Sequence, residues 1–274
     1  LVEAGHDVAL VVTRPDKRRS RRGTTEPSPV KAVALELGLP VSHSLDDLLA
    51  VDAELGVVVA YGRIIPERVL AHLPMVNLHF SLLPRWRGAA PVEWAILEGD
   101  AETGVCLMAV EAGLDTGPVY ACESTVVGED ETADELRQRL VVVGCRLLEV
   151  HLAEGRAGLP RPRDQVGMPS YAEKIEPAQR QLHWEEPALR LRRVVRLGRS
   201  WTTFRGQRLG VLSAAGADAD GSSPPPGTLV GDVAVAGGGS RLRLLVVQPE
   251  GRRAMAASDW LHGVRPSAGE RLGQ

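Results

Sequence analysis

Short apolar runs that alternate with helix-patterned stretches constrain the fold of this chain more than any other feature. Val8–Val12, Leu55–Ala60 and Met75–His79 are short and largely apolar, as strands buried on both faces of a sheet are. Val30–Leu37, Pro66–Leu73, Pro91–Leu97 and Thr132–Leu152 read as helices between and after them. The last of these opens with Thr132 and Glu135 at capping-box spacing. Its Leu136, Leu140, Val143, Leu147 and Val150 recur at helical intervals and define its expected apolar side. The alternation predicts an α/β domain over residues 1–155 with an open, mostly parallel, Rossmann-like sheet. There is no Gly-x-Gly-x-x-Gly turn, which argues against a nicotinamide or flavin dinucleotide.

The chain opens Leu1-Val2-Glu3-Ala4-Gly5-His6-Asp7-Val8, with Gly5 placed like a helix C-terminal glycine before the strand at Val8. A parallel strand needs a preceding crossover, so this reading expects a first strand and helix of the domain ahead of Leu1. Gly155 to Met168 is rich in Gly, Pro and Arg and predicts a linker over residues 156–174. Beyond it come one amphipathic helix, Glu186–Arg199, and short strand candidates at Arg208–Leu212, Gly227–Val235, Arg241–Val247 and near Arg252–Met255. Ala214–Gly227, with three consecutive prolines, reads as a surface loop. Residues 175–274 are therefore expected to form a small β-barrel.

The net charge is −3, so a nucleic-acid partner would be held by local basic patches rather than by overall charge. One patch is plain: Lys17, Arg18, Arg19, Arg21 and Arg22 crowd a single loop. A second gathers Arg190, Arg192, Arg193, Arg196, Arg199, Arg205 and Arg208 in the C-terminal region, where they are expected to meet phosphates without reading bases. Cys106, Cys122 and Cys145 are odd in number and lack metal-ligand spacing, which predicts separate buried thiols in a reducing cytoplasm and no metal. No apolar run reaches the length of a membrane span, and no targeting segment is visible.

Chemistry concentrates at the end of the Met75–His79 strand. Asn77 and His79 stand two residues apart, so their side chains project on one face. An amide donor beside an imidazole stabilises charge developing on a carbonyl oxygen. Asp115, in the turn Gly113-Leu114-Asp115-Thr116-Gly117, is placed to set the state of the imidazole or to relay a proton. For a lone His on a strand and a lone Asp in a turn, a core residue and a turn residue are the commoner reading. The flanking string Asn77-Leu78-His79-Phe80-Ser81-Leu82-Leu83-Pro84-Arg85-Trp86-Arg87-Gly88-Ala89-Ala90-Pro91 reverses that preference.

With Leu114-Asp115-Thr116-Gly117, that string resembles the methionyl-tRNA formyltransferases, which formylate initiator Met-tRNA from 10-formyltetrahydrofolate. Matches continue at Val11–Asp16, Pro27–Lys31, Ala60–Pro66, Gly99–Val105, Tyr171–Ile175 and Met255–Trp260, so the resemblance spans essentially the whole chain. It implies a formyltransferase catalytic domain followed by an OB-like tRNA-binding domain. It assigns catalysis to Asn77, His79 and Asp115, and the folate pocket to Ser81, Leu82, Leu83 and Pro84. It places the basic loop, with Arg21 at the position of the family's important arginine, against the acceptor stem of the tRNA. Arg192, Arg193 and Arg196 are expected to contact tRNA as well. The family's Gly-Thr-Pro-type opening loop has no counterpart here, and the stretch Leu197–Phe204 is shorter than the family pattern. The implied reaction moves the formyl group of 10-formyltetrahydrofolate onto methionyl-tRNA in a cytoplasmic, monomeric enzyme with no metal and no membrane partner. A formyltransferase acting on a small amine, such as a ribonucleotide or an amino sugar, is the alternative enzyme. A non-catalytic RNA- or folate-binding remnant is the alternative of another class.

Overall fold

The structure is a computed structural model and describes residues 1–18, 25–218 and 224–274. The chain packs as two compact units, Leu1–Pro91 with Thr103–Thr125 and Arg139–Ala172, and Val92–Glu102 with Val126–Gln138 and Glu173–Gln274.

In the first unit, β1 (Val11–Val12) is flanked in sequence by the short antiparallel pair β2 (Lys17–Arg18) and β3 (Thr25–Glu26). Helix α1 (Pro29–Glu36) starts where Ser28 accepts a hydrogen bond from the Lys31 N–H and a proline occupies the first turn. It leads to β4 (Val41–Ser42), which pairs in parallel with β1. Then come β5 (Gly56–Val59), α2 (Glu67–His72) and β6 (Met75–His79). Under α2, Ile65, Val69, Leu73 and Met75 form a buried cluster. The expected strand at Met75–His79 is observed residue for residue, while that at Val8–Val12 shortens to its last two residues.

β7 (Arg87–Gly88) follows, then α3 (Pro91–Glu98), β8 (Glu102–Ala109) and β9 (Val119–Val126). The main sheet runs in the order β5-β6-β8-β9; β5 is parallel to β6, and β8 is antiparallel to it. β8 is buried nearly throughout, and no period in the sequence distinguishes it from a helix segment. Cys106 on β8 and Cys122 on β9 form a disulfide, and Cys145 is exposed, so the expectation of three separate buried thiols is corrected. The pairing depends on strand neighbourhood, which a sequence separation of 16 does not reveal.

Helix α4 (Ala133–His151) has the expected capping box: Glu135 accepts from the Thr132 N–H at 2.8 Å, and Thr132 accepts from the Glu135 N–H at 3.3 Å. Leu136, Leu140, Val143 and Leu147 are buried as expected, but Val150 is 64% exposed, which corrects its place on the apolar side. The buried face turns in the last turns toward Leu148 and Leu152. A 3.6-residue repeat drifts off the seven-residue spacing that links Val143 to Val150, and Gly144 lies on the buried side, where a Cβ would stand 3.0 Å from Leu78 Cδ1. The stretch read as a linker begins in a 3₁₀ turn, Gly155–Gly158, and contains β10 (Tyr171–Ala172), which pairs in parallel with β7.

The second unit is built on antiparallel pairing. α5 (Ala188–Arg196) buries Ala188, Leu191, Val194 and Val195. β11 (Trp201–Phe204), β12 (Gln207–Ala217), β13 (Leu229–Val230), β14 (Val233–Val235), β15 (Arg241–Pro249) and β16 (Met255–Ala256) make one sheet. Its order is β11-β12-β15-β14-β13, with β16 beside β15. The strand expected at Gly227–Val235 is split in two by the turn at Gly231, whose φ of 60° suits glycine. Strand β11 and helix α6 (Ala257–Val264) lie outside the expected elements; Trp260 of α6 meets Phe204 of β11 edge to face at 5.0 Å between centroids.

Candidate active site

His79 lies at the end of β6, 5% exposed, and its ring is fixed from one side by the main chain of Trp86. His79 Nε2 is 2.8 Å from the Trp86 carbonyl, and a carbonyl only accepts, so the proton on that side sits on Nε2. Trp86 is held in the left-handed region, φ 61°, a conformation that persists only where neighbours over-determine it. They do so here. The Trp86 N–H donates to Ser170 Oγ at 2.9 Å, the ring is buried, and the Arg85 guanidinium covers it at 4.3 Å.

The other ring nitrogen, Nδ1, faces Asp115 Oδ2 at 3.6 Å, close enough for charge attraction but long for a hydrogen bond. Asp115 sits in a turn with φ 50°, and its Oδ2 accepts from the Gly88 N–H at 2.8 Å. Gly88 has φ 119°, and a Cβ there would come within 2.7 Å of the Ala172 carbonyl, so only glycine brings this amide to the carboxylate. Asn77 is half-buried on the same strand, and its amide has no partner among the described residues. Its donors are left for a ligand.

Asn77, His79 and Asp115 all line one cleft of about 400 Å³, within the range of small-molecule sites. Val58, Ala60–Ile65, Gly88, Ala89 and Met108–Leu114, less Ala109, supply most of the remaining wall. The Tyr61 hydroxyl is buried in that wall with no hydrogen-bond partner among the described residues. A buried hydroxyl left unpaired is unfavourable by about 1–3 kcal/mol, so the cleft suits a largely apolar group with a polar edge.

The four residues expected at a folate pocket follow Phe80, which is itself on the cleft wall. Ser81 is fully buried and its hydroxyl donates to the Arg85 carbonyl, Leu82 packs over Gly104, and the Pro84 carbonyl accepts from the Ser170 N–H at 3.3 Å. Ser81, Leu82, Leu83 and Pro84 build the turn that returns the Trp86 carbonyl to His79. The chain folds back directly after Phe80, which spacing along the sequence does not show.

The sequence reading misses Gln165. Its amide donates to the Asp115 and Gly117 carbonyls, both at 2.8 Å, and its oxygen accepts from Arg87 Nε at 3.1 Å and Nη2 at 2.7 Å. It lies inside a Gly/Pro/Arg-rich stretch that reads as a connection, and the one signal there is an isolated Gln among charged and apolar neighbours.

In the basic loop, the Lys17 and Arg18 main chains form β2; Arg19, Arg21 and Arg22 lie outside the described residues. Beside its base, Lys31 pairs with Asp16 at 2.9 Å. In the second unit, Arg192 pairs with Glu129 at 3.0 Å and with Asp130, and the hydrogen bond from Arg192 holds the Asp130 carboxyl below its usual range. Arg196 donates to the Gly128 and Glu131 carbonyls at 2.7 and 2.8 Å, and burial pushes its guanidinium down from the ordinary arginine value. Arg193 fills the space beside Gly99, where a Cβ would fall 1.9 Å from its Nη2. The three arginines expected to grip RNA are thus turned onto the protein's own acceptors and backbone.

Residues 2–149 match the formyl transferase family model and residues 174–265 match the model of the formyl transferase C-terminal domain. The chain belongs to the formyl transferase family. Among its curated relatives are methionyl-tRNA formyltransferases of Cereibacter sphaeroides (strain ATCC 17025), 39% identical over 96% of this chain and 90% of that one, and of Dinoroseobacter shibae, 40% identical over 96% and 92%. The enzyme of the same name from Xanthomonas axonopodis pv. citri is 41% identical over 95% of this chain and 91% of its own. Solved structures share the fold. HypX from Aquifex aeolicus in complex with tetrahydrofolic acid superposes with a TM-score of 0.60 at 18% identity, covering 86% of this chain and 44% of that one. The N-formyltransferase from Helicobacter canadensis, in complex with folinic acid and dTDP-3-aminofucose, gives 0.67 at 15% identity over 88% of each chain.

Proposed function

We propose that this chain transfers the formyl group of 10-formyltetrahydrofolate to the α-amino group of initiator methionyl-tRNA, in the cytoplasm, where translation draws on the product. Identity of about 40% to methionyl-tRNA formyltransferases over nearly the whole chain supports the choice of acceptor. The observation that carries the chemistry is the His79 ring held between the Trp86 carbonyl and the Asp115 carboxylate, with the unpartnered Asn77 amide on the same cleft.

The folate supplies a formyl carbon that an amine can attack. The cleft around Tyr61, Ile65 and Met108 suits its flat ring system, whose faces can pack on apolar side chains while its polar edge meets groups such as the Tyr61 hydroxyl. The roles of the chain's own residues follow from their positions. Asn77 donates to the formyl oxygen as negative charge builds there, an effect of about two to three orders of magnitude in rate for one such donor. His79 presents its Nδ1 side to the same space, with Nε2–H engaged on Trp86, so its orientation needs no adjustment during the reaction. Asp115 takes up the proton that the attacking amine releases, directly or through water; the tetrahedral adduct then collapses, the carbon–N10 bond breaks, and tetrahydrofolate leaves with a proton on N10. Ser81 to Pro84 contribute by fixing the Trp86 turn.

We further place catalysis in residues 1–155, a connecting segment in 156–174 and tRNA contact in 175–274, together with the basic loop at Lys17–Arg22. The deciding experiment incubates the protein with 10-formyltetrahydrofolate and, in parallel, charged initiator methionyl-tRNA, a ribonucleotide amine and a nucleotide-linked amino sugar. Formyl-methionyl-tRNA as the dominant product is expected. Faster turnover of either small amine would overturn the choice of acceptor.

A further inference from the structure

We propose that Gln165 is a positioning residue of the formyl-transfer site, clamping the Asp115 turn to the loop that carries Arg87 and Gly88. The inference rests on the reading that Asp115 takes part in the transfer.

An amide can donate two hydrogens and accept at its oxygen, and Gln165 uses all of this capacity on the two loops that meet at the site. Its two N–H groups reach the carbonyls of Asp115 and Gly117, both at 2.8 Å, and so close the turn between them. Its oxygen receives the Arg87 guanidinium at 3.1 and 2.7 Å. The neighbouring Gly88 N–H holds the Asp115 carboxylate at 2.8 Å. Asp115 is thereby fixed twice, through its side chain by Gly88 and through its main chain by Gln165.

The second hold is needed because Asp115 adopts φ 50°, a left-handed conformation that is unfavourable for a residue with a Cβ unless its surroundings impose it. The segment bearing Gln165 is itself pinned on either side. Arg163 and Val119 exchange N–H···O=C bonds at 2.8 Å, and Ser170 binds the Trp86 N–H. Between those anchors Val166 is 87% and Met168 93% exposed, so Gln165 is turned inward from a stretch that otherwise faces water. A purely structural strap has no reason to end on the carbonyl of the acid whose carboxylate lies 3.6 Å from His79. A displacement of about 1 Å at a reacting group is enough to lower a rate roughly a hundredfold.

The test is a double-mutant cycle read in steady-state formylation of methionyl-tRNA, with thermal melts on every variant. Gln165→Met removes every hydrogen bond at similar length; Gln165→Glu keeps an acceptor for Arg87 but cannot donate to the two carbonyls. Both are expected to lower kcat by about 10- to 100-fold, the range for outer-shell groups that orient a functional one, while both KM values move less than about threefold. In an Asp115→Asn background, where the carboxylate is already gone, either change should lower kcat by less than about twofold. A full multiplicative loss in that background would mean that Gln165 acts on stability or elsewhere, and would overturn the proposal. So would near-normal kcat in both single variants. If Asp115→Asn alone kept full turnover, the assignment of Asp115 to the reaction would fall first, which separates the two failures. Should Gln165→Met melt below the assay temperature, Gln165→Glu carries the same comparison.

Discussion

The cleft at the end of β6 and the arginine face of α5 are both crowded with polar side chains, and they treat them in opposite ways. At the cleft the groups keep hydrogen-bonding capacity in reserve: Asn77 keeps its whole amide, and His79 spends Nε2–H and keeps Nδ1 toward Asp115. On α5 the capacity is largely consumed, with Arg192 on Glu129 and Asp130 and Arg196 on two main-chain carbonyls. Chemistry needs groups that are oriented and still unsatisfied, whereas satisfied groups shape and stabilise. A count of charges in the sequence does not separate the two.

The comparison can be broken first at the cleft, where the effect is largest. Asp115→Asn and His79→Ala should each lower kcat for methionyl-tRNA by about two to four orders of magnitude while still melting cooperatively above the assay temperature, since each removes a group acting on the reacting atoms. Near-normal turnover in either folded variant would strip that residue of its role.

The next effect belongs to the basic loop, whose cations the sequence places together with no acidic residue among them. Replacing Arg18, Arg19, Arg21 and Arg22 by Ser should raise the KM for methionyl-tRNA and flatten its salt dependence. The log–log slope should fall by roughly one unit for each phosphate that no longer meets a cation, and the folate KM should stay where it was. An unchanged tRNA dependence would point to the small-amine acceptor.

Arg192→Met sharpens the contrast from the other side. The unfolding free energy should fall by about 1 kcal/mol or less, the worth of a partly exposed ion pair, and the tRNA salt slope should not move. A drop of about one unit in that slope would return α5 to the RNA interface.

The smallest expected effect lies at the end of the second unit. The hydrogen bond from Arg205, with a further one from the Ser267 N–H, lowers the Glu270 carboxyl to about 2. A carboxyl depressed in the folded state contributes its stabilisation above the ordinary carboxylate value of about 4.3, and loses it as pH falls through about 2. Melting temperature followed from about pH 5 down to about 2 should therefore fall less steeply in Arg205→Met than in the parent chain. Parallel curves would show that the pair is without thermodynamic effect.

Much of this protein is legible in its residues alone. Helices α1 to α5 fall, to within one residue, inside the stretches that caps and apolar periodicity mark out, because a capping box or a 3.6-residue repeat is local information. β6 is found for the same reason, as an apolar run bounded by turn residues. Strands β8, β9 and β11 escape: β8 is buried nearly throughout and leaves no period, while the alternating exposure within β9 and β11 is not matched by alternating apolar and polar residue types. Val150 fails because the buried side of a long helix is chosen by what lies beneath it, here toward Leu148 and Leu152.

The sequence by itself determined the class of the fold, the membership of Asn77, His79 and Asp115 in one constellation, and the family to which the chain belongs. Those are properties of residue types and short spacings. Only the tertiary structure decided that Ser81 to Pro84 make the turn before Trp86, that Cys106 meets Cys122, that the α5 arginines are already partnered, and that Gln165 reaches Asp115. Each of these depends on which loop is brought beside which. Hydrogen bonds and disulfides are made across a few ångströms of space, and distance along the chain carries no record of that separation.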